Sequence, residues 1–137
     1  MTLAMTWDEW AQHDGLALAL RVRKGEVTPA ELASQVAAGI EKTNGDLSAV
    51  VEVFDDVVQD PLKDGMNPEG PFAGLPYLMK DLGPTLKGRL QEMGSALMQG
   101  NRASADSFLT GKIRHAGLNI IGRTTTPEFG VCSSAEN

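Results

Sequence analysis

Apolar and polar positions along the chain change period several times, and each change marks an element. Trp7, Trp10, Leu16, Leu20 and Val22 recur before Gly25, and Thr6 followed by Glu9 has the spacing of a capping box. A first helix is predicted there, broken near Asp14-Gly15. A cleaner start follows at "TPAE", with Thr28 as N-cap, Pro29 at the first helical position and Glu31 placed to reach back. Leu32, Val36 and Ile40 then keep helical spacing up to Asn44-Gly45, which predicts a helix over residues 29–43.

From residue 48 the period shortens. "SAVVEVF", residues 48–54, alternates and is β-branched enough for a strand, and "QDPLKDGMNPEGPFAG" after it is loop chemistry. "YLMKD" is predicted as the next strand. The glycine-rich, patchily apolar stretch from Gly83 to Asp106 has the composition of a long loop around a site. Asp106 is then expected to cap a helix with Phe108, Leu109 and Ile113 on its apolar face and Gly117 at its end, followed by "NIIGR" as a short, fully buried strand. Helices over about residues 1–45, then strand, loop, helix and strand over about 46–137, predict an α/β fold in one domain, with helices packed on a sheet.

Composition narrows the function. A chain of 137 residues, 42% apolar and with no low-complexity tract, fits one soluble globular domain. The net charge of -6 argues against a surface built to neutralise phosphate, so no nucleic-acid partner is expected. No segment approaches about 18 uninterrupted apolar residues, and "MTLAMTWDEW" lacks a basic stretch followed by an apolar one; no membrane partner is expected, and the expected location is cytoplasmic. Cys132 is the single cysteine. With only His13 and His115 beside it there is no metal-ligand spacing, and no metal is expected.

The chemistry question is posed by "GLPYLMKDLG", residues 74–83, where Lys80 ends an apolar run. A lysine taken out of water loses hydration worth several kcal/mol unless a partner compensates or it sheds its proton. Taken alone, Lys80 could snorkel to the surface and pair with Asp81; buried at a strand end, it could instead accept a proton near neutral pH. Ser133, Ser134 and Thr124 to Thr126 divide between turn or cap chemistry and pocket lining. For Cys132, inert packing outweighs a nucleophile's role because no base lies beside it. His13 reads as a surface residue, and His115 faces the negative end of a helix dipole. The glycines of residues 70–100 lack P-loop or dinucleotide spacing and read as turns.

Taken together, "GPFAGLPYLMKD", Gly94-Ser95, "AGLNIIGRTTTPEFG" and "SSAEN" resemble, in order and separation, the first part of the amidase signature family. The family's segment before its lysine runs Gly-Pro-Leu-Ala-Gly-Val-Pro, with aspartate after the lysine, and residues 70–81 match it nearly position for position. Its Ala-Gly-Ala, apolar run, Gly-Lys-Thr-Asn and Pro-Glu-Phe reappear at residues 116–129, with Arg123 for the common lysine and Thr125 for the asparagine. The resemblance covers residues 26–137. "KDLGPTLKGRLQEMGS" departs from the family's usual Asp-Asn-Ile-Asp toward the branch that hydrolyses cyclic or aliphatic amides.

The resemblance implies the N-terminal part of the amidase signature fold, a mixed sheet covered by helices. It makes Lys80 the catalytic base of a Ser-Ser-Lys triad acting through an acyl-serine intermediate without a cofactor. Ser133 and Ser134 match serines near the substrate pocket and are expected to bind substrate rather than act as nucleophile. The triad serines belong to segments after the position of Glu136-Asn137, so residues 1–137 alone are expected to be inactive. The implied partners are a small-molecule amide and the remainder of the amidase chain or a complementing chain. Two alternatives stay open: an inactive remnant or binding module, and the glutamine amidase component of a transfer-RNA-dependent amidotransferase. Without further chain, strands 119–122 and 76–80 are expected to lack neighbours and expose apolar edges.

Overall fold

A computed structural model describes residues 3–135, so the Glu136-Asn137 end of the last matched block lies outside the described residues. The helical lead-in is α1 (Trp7–Ala11), α2 (Gly15–Arg23) and α3 (Pro29–Leu47). Thr6 accepts a hydrogen bond from the Glu9 amide as its N-cap, but the Glu9 carboxylate does not complete a box; it pairs instead with Arg21 of α2 at 2.7 Å. The predicted break at Asp14-Gly15 is the N-cap of α2, where Asp14 accepts from the Ala17 amide at 2.8 Å. At α3 the box closes both ways: Glu31 N–H donates to Thr28 Oγ1 and Thr28 N–H donates to the Glu31 carboxylate.

α3 runs four residues past its predicted end at residue 43. The Asn44-Gly45 stop does not act, because the Asn44 amide is used elsewhere: it donates to Val50 O and accepts from Val50 N, both at 2.8 Å. The helix ends instead at Ser48, whose φ of 47° turns the chain into β1 (Val50–Val53). After β1 comes α4 (Asp55–Gln59), a short helix hidden from periodicity by its five-residue length. Then follow β2 (Pro76–Lys80), α5 (Phe108–His115) and β3 (Asn119–Thr124), with 3₁₀ turns at Ala96–Met98 and Glu128–Gly130.

The sheet is mixed, in the order β1-β3-β2. β3 runs parallel to β2 and antiparallel to β1. Its residues Asn119 to Arg123 are all buried, as the continuous apolar run predicts for a strand covered on both faces. β3 therefore does not lack neighbours, contrary to expectation; among the described residues β1 and β2 are the edges, each paired on one side. Gly122 is where β1 crosses closest, since a Cβ there would stand 2.4 Å from Glu52 O.

One core cluster joins α3, α4 and the sheet through Ala33, Phe54, Val57, Met79, Ile120 and Ile121. A second, of Met5, Leu18, Val27 and Leu32, locks α2 and the N-terminal segment onto α3. Gln35, buried in α3, mimics a peptide unit toward that segment: its Oε1 accepts from Met5 N at 3.1 Å and its Nε2 donates to Met5 O at 3.0 Å. Replacing Gln35 with Leu leaves both Met5 groups unpaired in the interior. Urea unfolding is expected to show a loss of about 1–3 kcal/mol.

α5 departs most from its predicted face. Phe108 and Leu109 are 81% and 53% exposed, whereas Thr110 is fully buried. The cap is Ser107, which accepts from Thr110 N, and Thr110 Oγ1 donates to Thr85 O at 2.7 Å. Asp106 is occupied otherwise, accepting from the Lys87 amide and pairing with Arg114. A hydrogen-bonded threonine thus takes the inward position that hydrophobicity assigns to phenylalanine. His115 is the last residue of α5, in a last turn that also carries Lys112 and Arg114. Among the described residues no helix is long and apolar enough to cross a membrane.

Candidate active site

The parallel pairing of β2 and β3 brings the two motif blocks to one end of the sheet. Lys80 is in register with Thr124, and Asp81 N–H donates to Thr124 O at 3.2 Å. Ligand sites in α/β folds favour the carboxyl ends of parallel strands. Lys80 itself is exposed, and its side-chain amine has no hydrogen-bond or ion-pair partner among the described residues. Of the two readings of Lys80, the exposed one fits residues 1–137: β2 is an edge strand and Lys80 falls on its uncovered side. It does not, however, pair with Asp81.

Asp81 points into the protein, 6% exposed, and its partner is Arg123 at 2.9 Å. The Arg123 guanidinium reaches three carboxylates from three elements. Nε donates to Glu52 of β1 at 2.7 Å, Nη1 meets Asp81, and Nη2 donates to Glu92 of the long loop at 2.8 Å. Burial works against this charge, but the hydrogen bonds to Glu52, Glu92 and Asp81 outweigh it and hold the guanidinium above its ordinary range. A lysine, with a compact ammonium, has no planar fork to serve three directions at once. Glu92 is held below the ordinary carboxylate range, first by the Gly100 amide it accepts from and then by Arg123.

The long loop is thereby tied to the strand ends. Asp81 also accepts from the Glu92 amide at 3.1 Å, and Ser95 Oγ donates to Glu128 Oε1 at 2.7 Å. Earlier in the loop, Arg89 makes two hydrogen bonds to Asp56 of α4 and two to Asp64 in the turn after it, with its guanidinium 4.4 Å from the Phe54 ring centre. Two left-handed pairs face each other where the blocks meet, Met93-Gly94 (φ 55° and 65°) and Phe129-Gly130 (φ 49° and 71°). Phe129 N–H donates to Met93 O at 2.9 Å. Gly94 passes so near the other block that a Cβ would stand 2.3 Å from Thr126 O. Bulky residues rarely adopt such φ values, and strain of this kind concentrates at functional sites.

Two open cavities flank this junction. One, of about 320 Å³, is lined by Val51, Asp81, Glu92, Ser95 and Arg123. The other, of about 380 Å³, is lined by Gly94, Thr126, Glu128, Cys132 and Ser134. Ser133 and Ser134 are both exposed, and Ser134 lines the second cavity. Cys132 is exposed there rather than packed inside. His13 lies far back in the lead-in, half-buried, with Nδ1 2.7 Å from Glu9 O.

The arrangement combines an accessible amine at a strand end, hydroxyl-bearing turns, and a loop clamped by buried ion pairs. The family model for Amidase matches residues 31–137. The chain belongs to the amidase family. It is 33% identical over 125 residues to a 6-aminohexanoate-cyclic-dimer hydrolase of Paenarthrobacter ureafaciens, covering 90% of this chain and 24% of that protein. It is 31% identical over 137 residues to a glutamyl-tRNA(Gln) amidotransferase component of Mycolicibacterium paratuberculosis, covering 95% and 28% respectively. Among solved structures, a 6-aminohexanoate cyclic dimer hydrolase superposes with a TM-score of 0.79 at 31% identity over 90% of this chain and 26% of that one. The mixed sheet with its covering helices is thus the N-terminal portion of the amidase signature fold. The chain spans about a quarter of the length of the curated relatives it matches.

Within this member of the amidase family, sequence reasoning singled out Lys80, Ser133 and Ser134 but missed the Arg123 cluster and the Ser95–Glu128 bond. A signal for the first was present. Arg123 ends the fully buried run "NIIGR", the same anomaly of a charge after an apolar strand that drew attention to Lys80.

Proposed function

We propose that residues 1–137 are a single N-terminal unit of a serine amidase, which cleaves a carbon–nitrogen amide bond through an acyl-serine intermediate with Lys80 as proton acceptor. The observation that carries the reading is the parallel register of Lys80 with Thr124, which puts the family-matched lysine beside the family-matched Thr-Thr-Thr-Pro-Glu-Phe block. The two serines of the triad would come from chain outside residues 1–137, either continuous with them or complementing them. In the assembled site the relay serine bridges Lys80 to the nucleophile. Serine attacks the amide carbon, its proton passes toward the Lys80 amine, and the same lysine returns a proton to the departing amine. Water then releases the acid. Backbone N–H groups would hold the tetrahedral oxyanion.

Covering an amine with protein disfavours its charged form. The proposal therefore requires further chain to close over Lys80, which is exposed here. Ser133 and Ser134 take the role of binding substrate, Ser134 from its place on the cavity of about 380 Å³. The similarity to 6-aminohexanoate-cyclic-dimer hydrolases, together with the wording after Lys80, favours a cyclic or aliphatic amide as substrate. The similarity to the glutamyl-tRNA(Gln) amidotransferase component supports a second reading, in which the parent protein is the glutamine amidase of such an assembly.

The test is hydrolysis of 6-aminohexanoate cyclic dimer, a simple aryl amide and glutamine by the protein isolated from its source, beside residues 1–137 alone. Hydrolysis of a plain amide by the former and none by the latter is expected. Glutamine hydrolysis dependent on charged transfer RNA would favour the amidotransferase reading. No hydrolysis of any amide by the intact source protein would refute the enzymatic reading and leave a binding module.

A further inference from the structure

We propose that Arg123 is a positioning residue for Lys80: by binding the Asp81 carboxylate on the buried side of the β2 end, it keeps the adjacent carboxylate off the Lys80 amine. This rests on the reading of Lys80 as a proton acceptor. A proton acceptor must spend time as the free amine, and a carboxylate at its side would hold it as an ammonium ion. The sequence places such a carboxylate at the next position.

Consecutive side chains at a strand leave on opposite faces, and Lys80 is exposed where Asp81 is buried. That alternation alone does not fix Asp81, because a buried carboxylate without a counterion would turn outward toward solvent and the ammonium beside it. Arg123 and the backbone remove that freedom. Asp81 Oδ2 meets Arg123 Nη1 at 2.9 Å, while Oδ1 accepts from the Glu92 amide at 3.1 Å. The guanidinium cannot follow Asp81 outward, since Glu52 and Glu92 hold its other two sides. The residue that occupies the family's common lysine position is thus the one that frees the lysine of the neighbouring strand.

Competitive trace acetylation of the protein as isolated, read by peptide mass spectrometry, measures the free amine at each lysine, with exposed Lys24 and Lys42 as internal references. In Arg123→Gln the relative labelling of Lys80 is expected to fall about two- to fivefold, the size of a newly formed exposed ion pair. Adding Asp81→Asn is expected to restore it. Asp81→Asn alone is expected to leave Lys80 within about twofold of the starting protein, because Asp81 is already held away. A merely structural role for Arg123 would shift the circular dichroism and the labelling of Lys24 and Lys42 together with that of Lys80. Unchanged labelling in folded Arg123→Gln, or a rise beyond about twofold in Asp81→Asn alone, would overturn the proposal. If circular dichroism shows Arg123→Gln unfolded, the Asp81→Asn arm decides. Labelling needs no hydrolysis, so failure of the amidase reading shows in the activity assay and not here.

Discussion

If the proposed function holds, Lys80→Met in the intact source protein is expected to lower amide hydrolysis by about 10²–10⁴-fold, the range supplied by a positioned general base. Methionine keeps most of the side chain's length and apolar contact while removing the amine. Lys80 is exposed and unpartnered among the described residues, so the thermal midpoint of residues 1–137 should barely move, with stability changing by no more than about 0.5 kcal/mol. Substrate binding should be largely kept, so the loss should fall on kcat rather than KM. Loss of activity with an unchanged melting curve isolates chemistry from folding. Parallel loss of both would mean that Lys80 supports the structure instead.

Arg123→Met carries the largest stability effect expected in the chain. Three carboxylates from β1, the β2 end and the long loop converge on one guanidinium, and its removal leaves Asp81 buried without a counterion. Breaking a buried pair by removing one partner costs about 3–5 kcal/mol, as denaturant unfolding at pH 7 should show. The pH dependence has a definite sign. Glu92 is held below its ordinary value of 4.5, so its stabilising contribution is complete above that pH and is lost as pH falls through the lower, folded value. Arg123 stays charged throughout, because its hydrogen-bonded carboxylates raise it further. The difference between the two proteins should therefore shrink as Glu92 protonates below its ordinary value. A deficit that stays constant from pH 7 to pH 3 would mean that lost packing, not charge, causes it.

Much of the fold is legible because local chemistry and tertiary packing agree. Thr28, Pro29 and Glu31 announce the start of α3, and they close the box that their spacing predicts. "NIIGR" is read as a buried strand and is the central one. Legibility fails where side chains take tertiary partners that local rules cannot see. Glu9 leaves its capping box for Arg21, and Asn44 spends its amide on Val50 and lets α3 run on. Thr110 displaces Phe108 and Leu109 from the buried face of α5 because its hydroxyl has an acceptor at Thr85.

At the site the same division holds. Lys80 is found from its anomalous place after an apolar run and from the matching motif. Its exposure is not, since which face of an edge strand is covered depends on packing rather than on the strand's own residues. The Arg123 cluster joins residues 31 and 71 positions away in the chain, and no spacing rule connects Glu52, Asp81 and Glu92 to one guanidinium. The sheet order β1-β3-β2 brings Glu52 and Asp81 to Arg123, and the long loop folded over the strand ends brings Glu92.

The most direct test of the amidase reading is to trap the acyl-enzyme. The intact source protein and its Lys80→Met variant would be mixed with an activated aryl ester, quenched within seconds, and mapped by peptide mass spectrometry. An acyl group on a serine outside residues 1–137, formed in the starting protein and strongly suppressed in Lys80→Met, is the predicted result. Acylation that proceeds equally without Lys80, or that maps to Ser133, Ser134 or Cys132, would contradict it.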